Sequence, residues 1–133
     1  MSYGAIGRGV NAGPAGDIYP MSASVASSPA VLITGTTAAA QTTAHTCDAN
    51  AFDLPYMIIS NVGGSAVDVY GQIGSTATTG IRHWNISAGN FTTAYSYDVM
   101  MSNSGIFGFW ATATAGVYVT GIVSRMFTAS SSP

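Results

Sequence analysis

The stretch Pro55 to Ile73, PYMIISNVGGSAVDVYGQI, decides the fold. Its first part is a compact apolar run, and Asn61-Val62-Gly63-Gly64-Ser65 carries the chemistry of a reverse turn. Ala66 to Ile73 then alternates strictly. Val67, Val69 and Ile73 share one face, and Asp68, Tyr70 and Gln72 share the other, which is the period of a half-buried strand. The pattern predicts two strands joined as a hairpin.

Similar short runs recur on both sides of this segment. Val31 to Thr34, Gln41 to Thr46, Ile81 to Ser87, Phe91 to Met100, Ile106 to Thr112 and Val117 to Phe127 are rich in β-branched and aromatic residues. Turn residues separate them, notably Ala88-Gly89-Asn90 and Thr114-Ala115-Gly116. Tyr95 and Tyr97 are expected on one face of their strand. Both faces of Val117 to Phe127 are apolar, which predicts a central strand or one at a subunit contact. About eight short strands at regular spacing predict an all-β protein, a single antiparallel β-sandwich of jelly-roll or Ig-like type.

Composition agrees. The 133 residues contain three Arg, five Asp, no Lys and no Glu, so only 6% are charged where a soluble domain usually has about a quarter. Helices normally cover their solvent face with Glu and Lys, and this chain has neither. A net charge of -2 gives little self-repulsion, so association is favoured. Three dispersed arginines provide no basic patch for nucleic acid or for an anionic membrane surface. Gly105 to Val123 is uncharged and long enough to span a bilayer, but its threonines and glycines read as two strands around a turn. The N-terminus shows no basic region followed by an apolar run, so no signal peptide is expected.

Residues 1–30 differ from the rest: they are rich in Gly, Pro and Ser and have no sustained period. They predict an extended N-terminal arm, with the sandwich over 31–127 and a polar tail over 128–133. Tyr3, Ile6, Arg8, Ile18, Tyr19 and Met21 are the arm's candidate contacts with a neighbouring protein.

No constellation predicts catalysis. The five Asp form no pair at a spacing that implies a shared site, and no Gly-x-Ser-x-Gly elbow or phosphate loop occurs. His83 lies within a predicted strand and reads as structural. Cys47 is the only cysteine, and with His45 and Asp48 beside it forms too small a group for a metal centre. No catalytic, cofactor or metal residue is assigned. Asn85-Ile86-Ser87 and Asn90-Phe91-Thr92 match the glycosylation pattern by chance in a Ser/Thr-rich chain. Trp84, Trp110 and the tyrosines suit either a sugar-stacking platform or core and interface packing.

Three segments, IISNVGGSAVDVYGQI, WNISAGNFTTAY and SNSGIFGFWATATAGVYVTGIVSRM, together resemble small β-sandwich virion proteins of tailed bacteriophages. In particular, Met57 to Met126 is similar to the cement or decoration proteins of the capsid exterior. The resemblance implies a non-enzymatic subunit on the outer surface of the virion. Such a subunit binds the major capsid protein, bridges capsid subunits and self-associates, often as a trimer, without a cofactor. It carries over no catalytic residues. The other expectation is a receptor- or glycan-binding tip on a tail or appendage.

Overall fold

The computed structural model describes residues 16–74, 80–102 and 104–127. Ten strands hold more than half of these residues: β1 (Asp17–Pro20), β2 (Val31–Leu32), β3 (Thr42–Thr46), β4 (Ala51–Asn61), β5 (Val67–Ile73), β6 (Arg82–Ile86), β7 (Phe91–Ser96), β8 (Met101–Ser102), β9 (Ile106–Ala111) and β10 (Val117–Phe127). A single 3₁₀ turn, Ala38–Ala40, is capped by Thr37, whose hydroxyl accepts from the Ala40 N–H.

The strands pair as nested shells. β5 pairs with β6, β4 with β7, β3 with β9 and β1 with β10, all antiparallel. Such nesting is one long hairpin of eight strands, with the two-residue β2 and β8 as additions to β10 and β4. The hairpin is curled on itself, so that β10 also pairs with β4 and β9 with β5. Two sheets result, β1-β10-β4-β7 and β3-β9-β5-β6. They pack as a β-sandwich, and the strand order is that of a jelly roll.

This topology corrects the expected hairpins. β4 and β5 lie in different sheets, as do β6 and β7, and β9 and β10. The Asn61–Ser65, Ala88–Asn90 and Thr114–Gly116 turns are therefore arches over the end of the sandwich. Turn residues specify a chain reversal but not a pairing partner. Here Met57 and Ile59 of β4 and Val67 and Val69 of β5 are all fully buried in one core, facing each other across the sheets. Asn61 holds the arches together: its Nδ2 donates to the carbonyls of Ser65 (2.8 Å) and Ile86 (3.0 Å), and its Oδ1 accepts from Gly63 N–H. Gly116 is needed where two arches touch, with φ of 79° and only 3.0 Å from a hypothetical Cβ to the Gly63 nitrogen.

Alternation places the core. Odd-numbered residues of β4 are buried from Ala51 to Asn61, and even-numbered ones face outward. Val67, Val69 and Ile73 face the core as expected. Gln72 lies on the opposite face yet is fully buried, because Gln41 folds over it and its Nε2 donates to Gln41 Oε1 at 2.7 Å. β10 is central, between β1 with β2 on one side and β4 on the other.

Two further expectations change. β7 ends at Ser96, and Tyr97 adopts φ of 62°, so Tyr95 is buried in the core while the Tyr97 ring packs on Tyr56 at 5.5 Å. Residues 17–30, expected in the arm, belong to the sandwich. β1 is an edge strand on β10, Met21 is completely buried, and Val25 bridges to Ser28. The pattern was hidden because β1 is only four residues long and is followed by irregular backbone. Residues 1–15 and 128–133 lie outside the described part.

The core assignment makes a direct prediction. Val69→Asp places an unpaired charge at a position with no solvent exposure, at a cost of several kcal/mol against a typical domain stability of about 5–15 kcal/mol. Thermal melting of this variant should lose its cooperative transition. Val62→Asp, at an arch position that is 68% exposed, should melt as the parent does. A Val69→Asp variant with an unchanged midpoint refutes the inward face.

Candidate functional site

The most concentrated polar group in the described residues is Asp53 and its partners. Asp53 shares the buried parity of β4 with Met57 and Ile59 and has no solvent exposure. β10 runs beside it in a register that sets Arg125 opposite. Arg125 Nε donates to Asp53 Oδ1 at 2.8 Å and Nη2 to Oδ2 at 2.9 Å, a two-pronged contact. His45, reaching across from β3 in the other sheet, bonds Oδ2 through Nε2 at 2.6 Å. The Ser22 backbone N–H donates to His45 Nδ1 at 2.9 Å. The Arg125 guanidinium also lies over the Tyr19 ring, 4.4 Å from its centroid.

This geometry fixes the chemistry. Nδ1 accepts from Ser22, so the proton is on Nε2 and points at Asp53. An Asp-His pair is two-thirds of a hydrolytic triad, but here neither imidazole nitrogen is left to take a proton from a hydroxyl. Burial opposes the Asp53 charge, but the hydrogen bonds from Arg125 and His45 outweigh it and hold the carboxyl down at about 2. Burial, reinforced by the Asp53 charge, pushes the neighbouring Cys47 thiol up to about 11. The thiol donates to the Ala51 carbonyl at 3.3 Å and is not a nucleophile at neutral pH. Asp48 turns away to accept from Asn50 N–H. Among the described residues no three His, Cys, Asp or Glu side chains converge as a metal-binding group. The cluster is a structural tie, and sequence reasoning missed it. Its signal was parity: Asp53 is in phase with Met57 and Ile59, as Arg125 is with Val119 and Val123.

Among the described residues Arg82 and His83 are engaged in the same way. Arg82 donates to Asp98 at 2.8 Å and to the Ala94 carbonyl at 3.0 Å. His83 and Asn85 both bond Asp68 Oδ1. Hydrogen bonds from Asn85 and His83 lower the Asp68 carboxyl, and Arg82 lowers that of Asp98. Every Arg and His of the described residues is thus bonded to a carboxylate.

The aromatics divide. Trp84 is turned inward against Tyr95 and Phe109. On the outer face of the smaller sheet, Trp110, Tyr70 and His83 are cross-strand neighbours. Tyr70 stacks on His83 at 4.7 Å and on Trp110 at 5.4 Å, with interplanar angles of 24° and 13°. Both faces of Tyr70 are therefore used within the row, whereas a sugar platform needs ring faces open to solvent. At the arch end lies a groove of about 220 Å³ lined mainly by small residues and by Asn61, whose amide is already spent on the arches.

The outer face of the larger sheet is of another kind. β4 presents Phe52, Leu54, Tyr56, Ile58 and Ser60 outward, and β10 presents Tyr118, Thr120, Ile122 and Met126, with the buried Ser124 of the same parity between the last two. At its flanks Ile18 is 40% exposed, Leu32 41% and Phe91 70%. None of these outward strand residues is charged. Of the arm's candidate contacts, Tyr3, Ile6 and Arg8 lie outside the described residues. Ile18 lies on this face. Tyr19 is turned under Arg125 and Met21 is sealed in the core, so neither is offered to a neighbour as expected: both anchor β1 to its own domain. No helix among the described residues is long and apolar enough to cross a membrane.

Acid titration tests the tie. A carboxyl held at about 2, against an ordinary 3.8, contributes stability above pH 4 that is lost as pH falls towards 2. The contribution is about 2 kcal/mol. Asp53→Asn should cost about 3 kcal/mol at neutral pH, because Arg125 loses its partner. It should also flatten the acid limb of stability in urea titrations between pH 4 and 2, and an unchanged limb assigns that limb elsewhere. No protein-family model, curated protein or solved structure matches the chain.

Proposed function

We propose that this protein is a structural virion subunit, a cement or decoration protein that binds the outside of a phage head and stabilises it by bridging capsid subunits. One observation carries the reading: polar chemistry is spent inside the domain while large apolar side chains are left outside on more than one side. The outer face of the larger sheet is one such surface. Val25 in the 21–30 segment, Val62 in an arch and Ile81 before β6 are exposed elsewhere, at 57%, 68% and 39%. Contiguous exposed apolar area marks protein contacts, and it is the outer face of the larger sheet that supplies it; Val25, Val62 and Ile81 are single exposed side chains. The jelly roll is frequent among viral capsid proteins, which supports the reading by analogy. The partners are then the major capsid protein and further copies of this chain.

The jelly roll also occurs in lectin domains. A receptor- or glycan-binding tip would draw on Trp110, Tyr70 and His83, but both faces of Tyr70 are taken by its two neighbours and Trp110 is buried. Copy number separates the two readings. Quantitative mass spectrometry of purified particles should find this chain at a level comparable with the major capsid protein. Heads stripped of it should release their DNA at lower temperature and recover on adding it back. A handful of copies per particle, with unchanged heads on stripping, defeats the cement reading.

A further inference from the structure

We infer that the outer face of the larger sheet is closed by a second copy of this chain, packed face to face across a two-fold axis. The inference rests on the reading that the protein works by packing against proteins, and it names the partner of one surface.

Size is the first argument. β4 and β10 are eleven residues each and adjacent, with β1 and β7 outside them. At about 3.3 Å per residue and about 4.8 Å between strands, the long β4 and β10 with the shorter β1, β2, β7 and β8 beside them make a face of roughly 570 Å². A stable interface buries about 600–1,000 Å² on each partner, so this face against its copy comes close to the lower end of that range.

Charge is the second. At a two-fold axis a residue meets its own copy, so any charge near the centre would face the same charge. The centre of this face is the Ile122–Tyr56 pair, with Thr120–Ile58 beside it. The outward strand residues are uncharged out to the flanking Ile18, Leu32 and Phe91. A chain that places Asp68, His83 and Asn85 on the outside of its smaller sheet is not uncharged everywhere. The sheet face that would have to meet itself is the one without charge. Shape is the third. Two copies of one twisted sheet have the same twist by construction, so they can pack aligned at about 30°, as the two layers of a sandwich do.

The test uses the full chain in sedimentation-equilibrium runs at micromolar concentration. The parent should be a dimer. Ile122→Glu and Ile122→Lys, each alone, should dissociate about a hundredfold or more easily, because like charges meet across the axis. Mixing the two variants in equal amounts should restore a dimer containing one of each. Thr120→Glu with Thr120→Lys repeats the test at a position that is already polar and surface-facing, should the Ile122 variants fold poorly. A monomeric parent, a trimer, or variants that still pair would overturn the inference. So would variants that separate but are not rescued by mixing, since that face would then meet something other than itself. A parent that becomes dimeric only when residues 1–15 are removed would assign the face to the chain's own N-terminal segment. Binding to heads is measured separately. Pairing without attachment removes the cement reading and leaves the interface, and attachment by a monomeric parent does the reverse.

Discussion

The fold depends on a carboxylate that has no access to water. Asp53 lies on the inward parity of β4, and an isolated charge there would cost several kcal/mol, a large part of a domain's stability. It is tolerated because Arg125 comes from the neighbouring strand, His45 from the opposite sheet, and Ser22 fixes the imidazole from the N-terminal side. One interaction therefore joins both sheets and the segment that follows β1. It also selects register. Sliding β4 by one residue would turn Asp53 outward together with Met57 and Ile59, losing the ion pair and the core at once. Electrostatics and the hydrophobic pattern demand the same alignment, and that agreement specifies a single structure.

Asn61 plays the corresponding part at the other end of the same strand. Its amide makes three hydrogen bonds to the backbone of two connections that cross between sheets, where chain reversals leave polar groups without ladder partners. β4 thus carries one polar hub near each end of its inner face, with apolar residues between them. Since β4 pairs with both β10 and β7, each hub acts on the middle of the larger sheet rather than on an edge. A neutral amide suffices where only backbone needs partners. A charge is used where a long, bidentate contact can hold two strands and the far sheet together.

What the sequence discloses and withholds follows from the range of each interaction. Strand positions and faces are local: the alternation of Val67, Val69 and Ile73 and the two-sided apolar character of Val117 to Phe127 read through to the structure. Pairing is not local. A turn such as Asn61–Ser65 has the same chemistry whether it closes a hairpin or arches between sheets, so nested pairing was not legible. The membership of Asp17 to Met21 was hidden for a similar reason, since an edge strand of four residues has too few alternations to show a period. Tyr97 escaped because a left-handed residue after a strand breaks parity without any Gly to announce it. The Asp53–Arg125 pair was legible in principle, as two charges in phase with buried valines and isoleucines. The third partner, His45, depends on how the sheets face each other.

The scarcity of charge connects the interior to the exterior. With no Lys or Glu and few Arg, the chain has little charge to distribute, and every described arginine is held by a carboxylate of its own domain. What then faces outward on the larger sheet is Tyr, Thr, Ile, Leu and Phe, much the same kind of residue that faces inward. A sheet with two apolar faces is an incomplete layer structure, because each such face is stable only when another layer covers it. The smaller sheet covers one face of the larger sheet. Covering the other requires a layer from outside the described residues, and a surface without charge has little electrostatic means of rejecting one. The scarcity of charge that leaves Asp53 and Arg125 as one isolated pair between the sheets therefore extends across the outer face of the larger sheet.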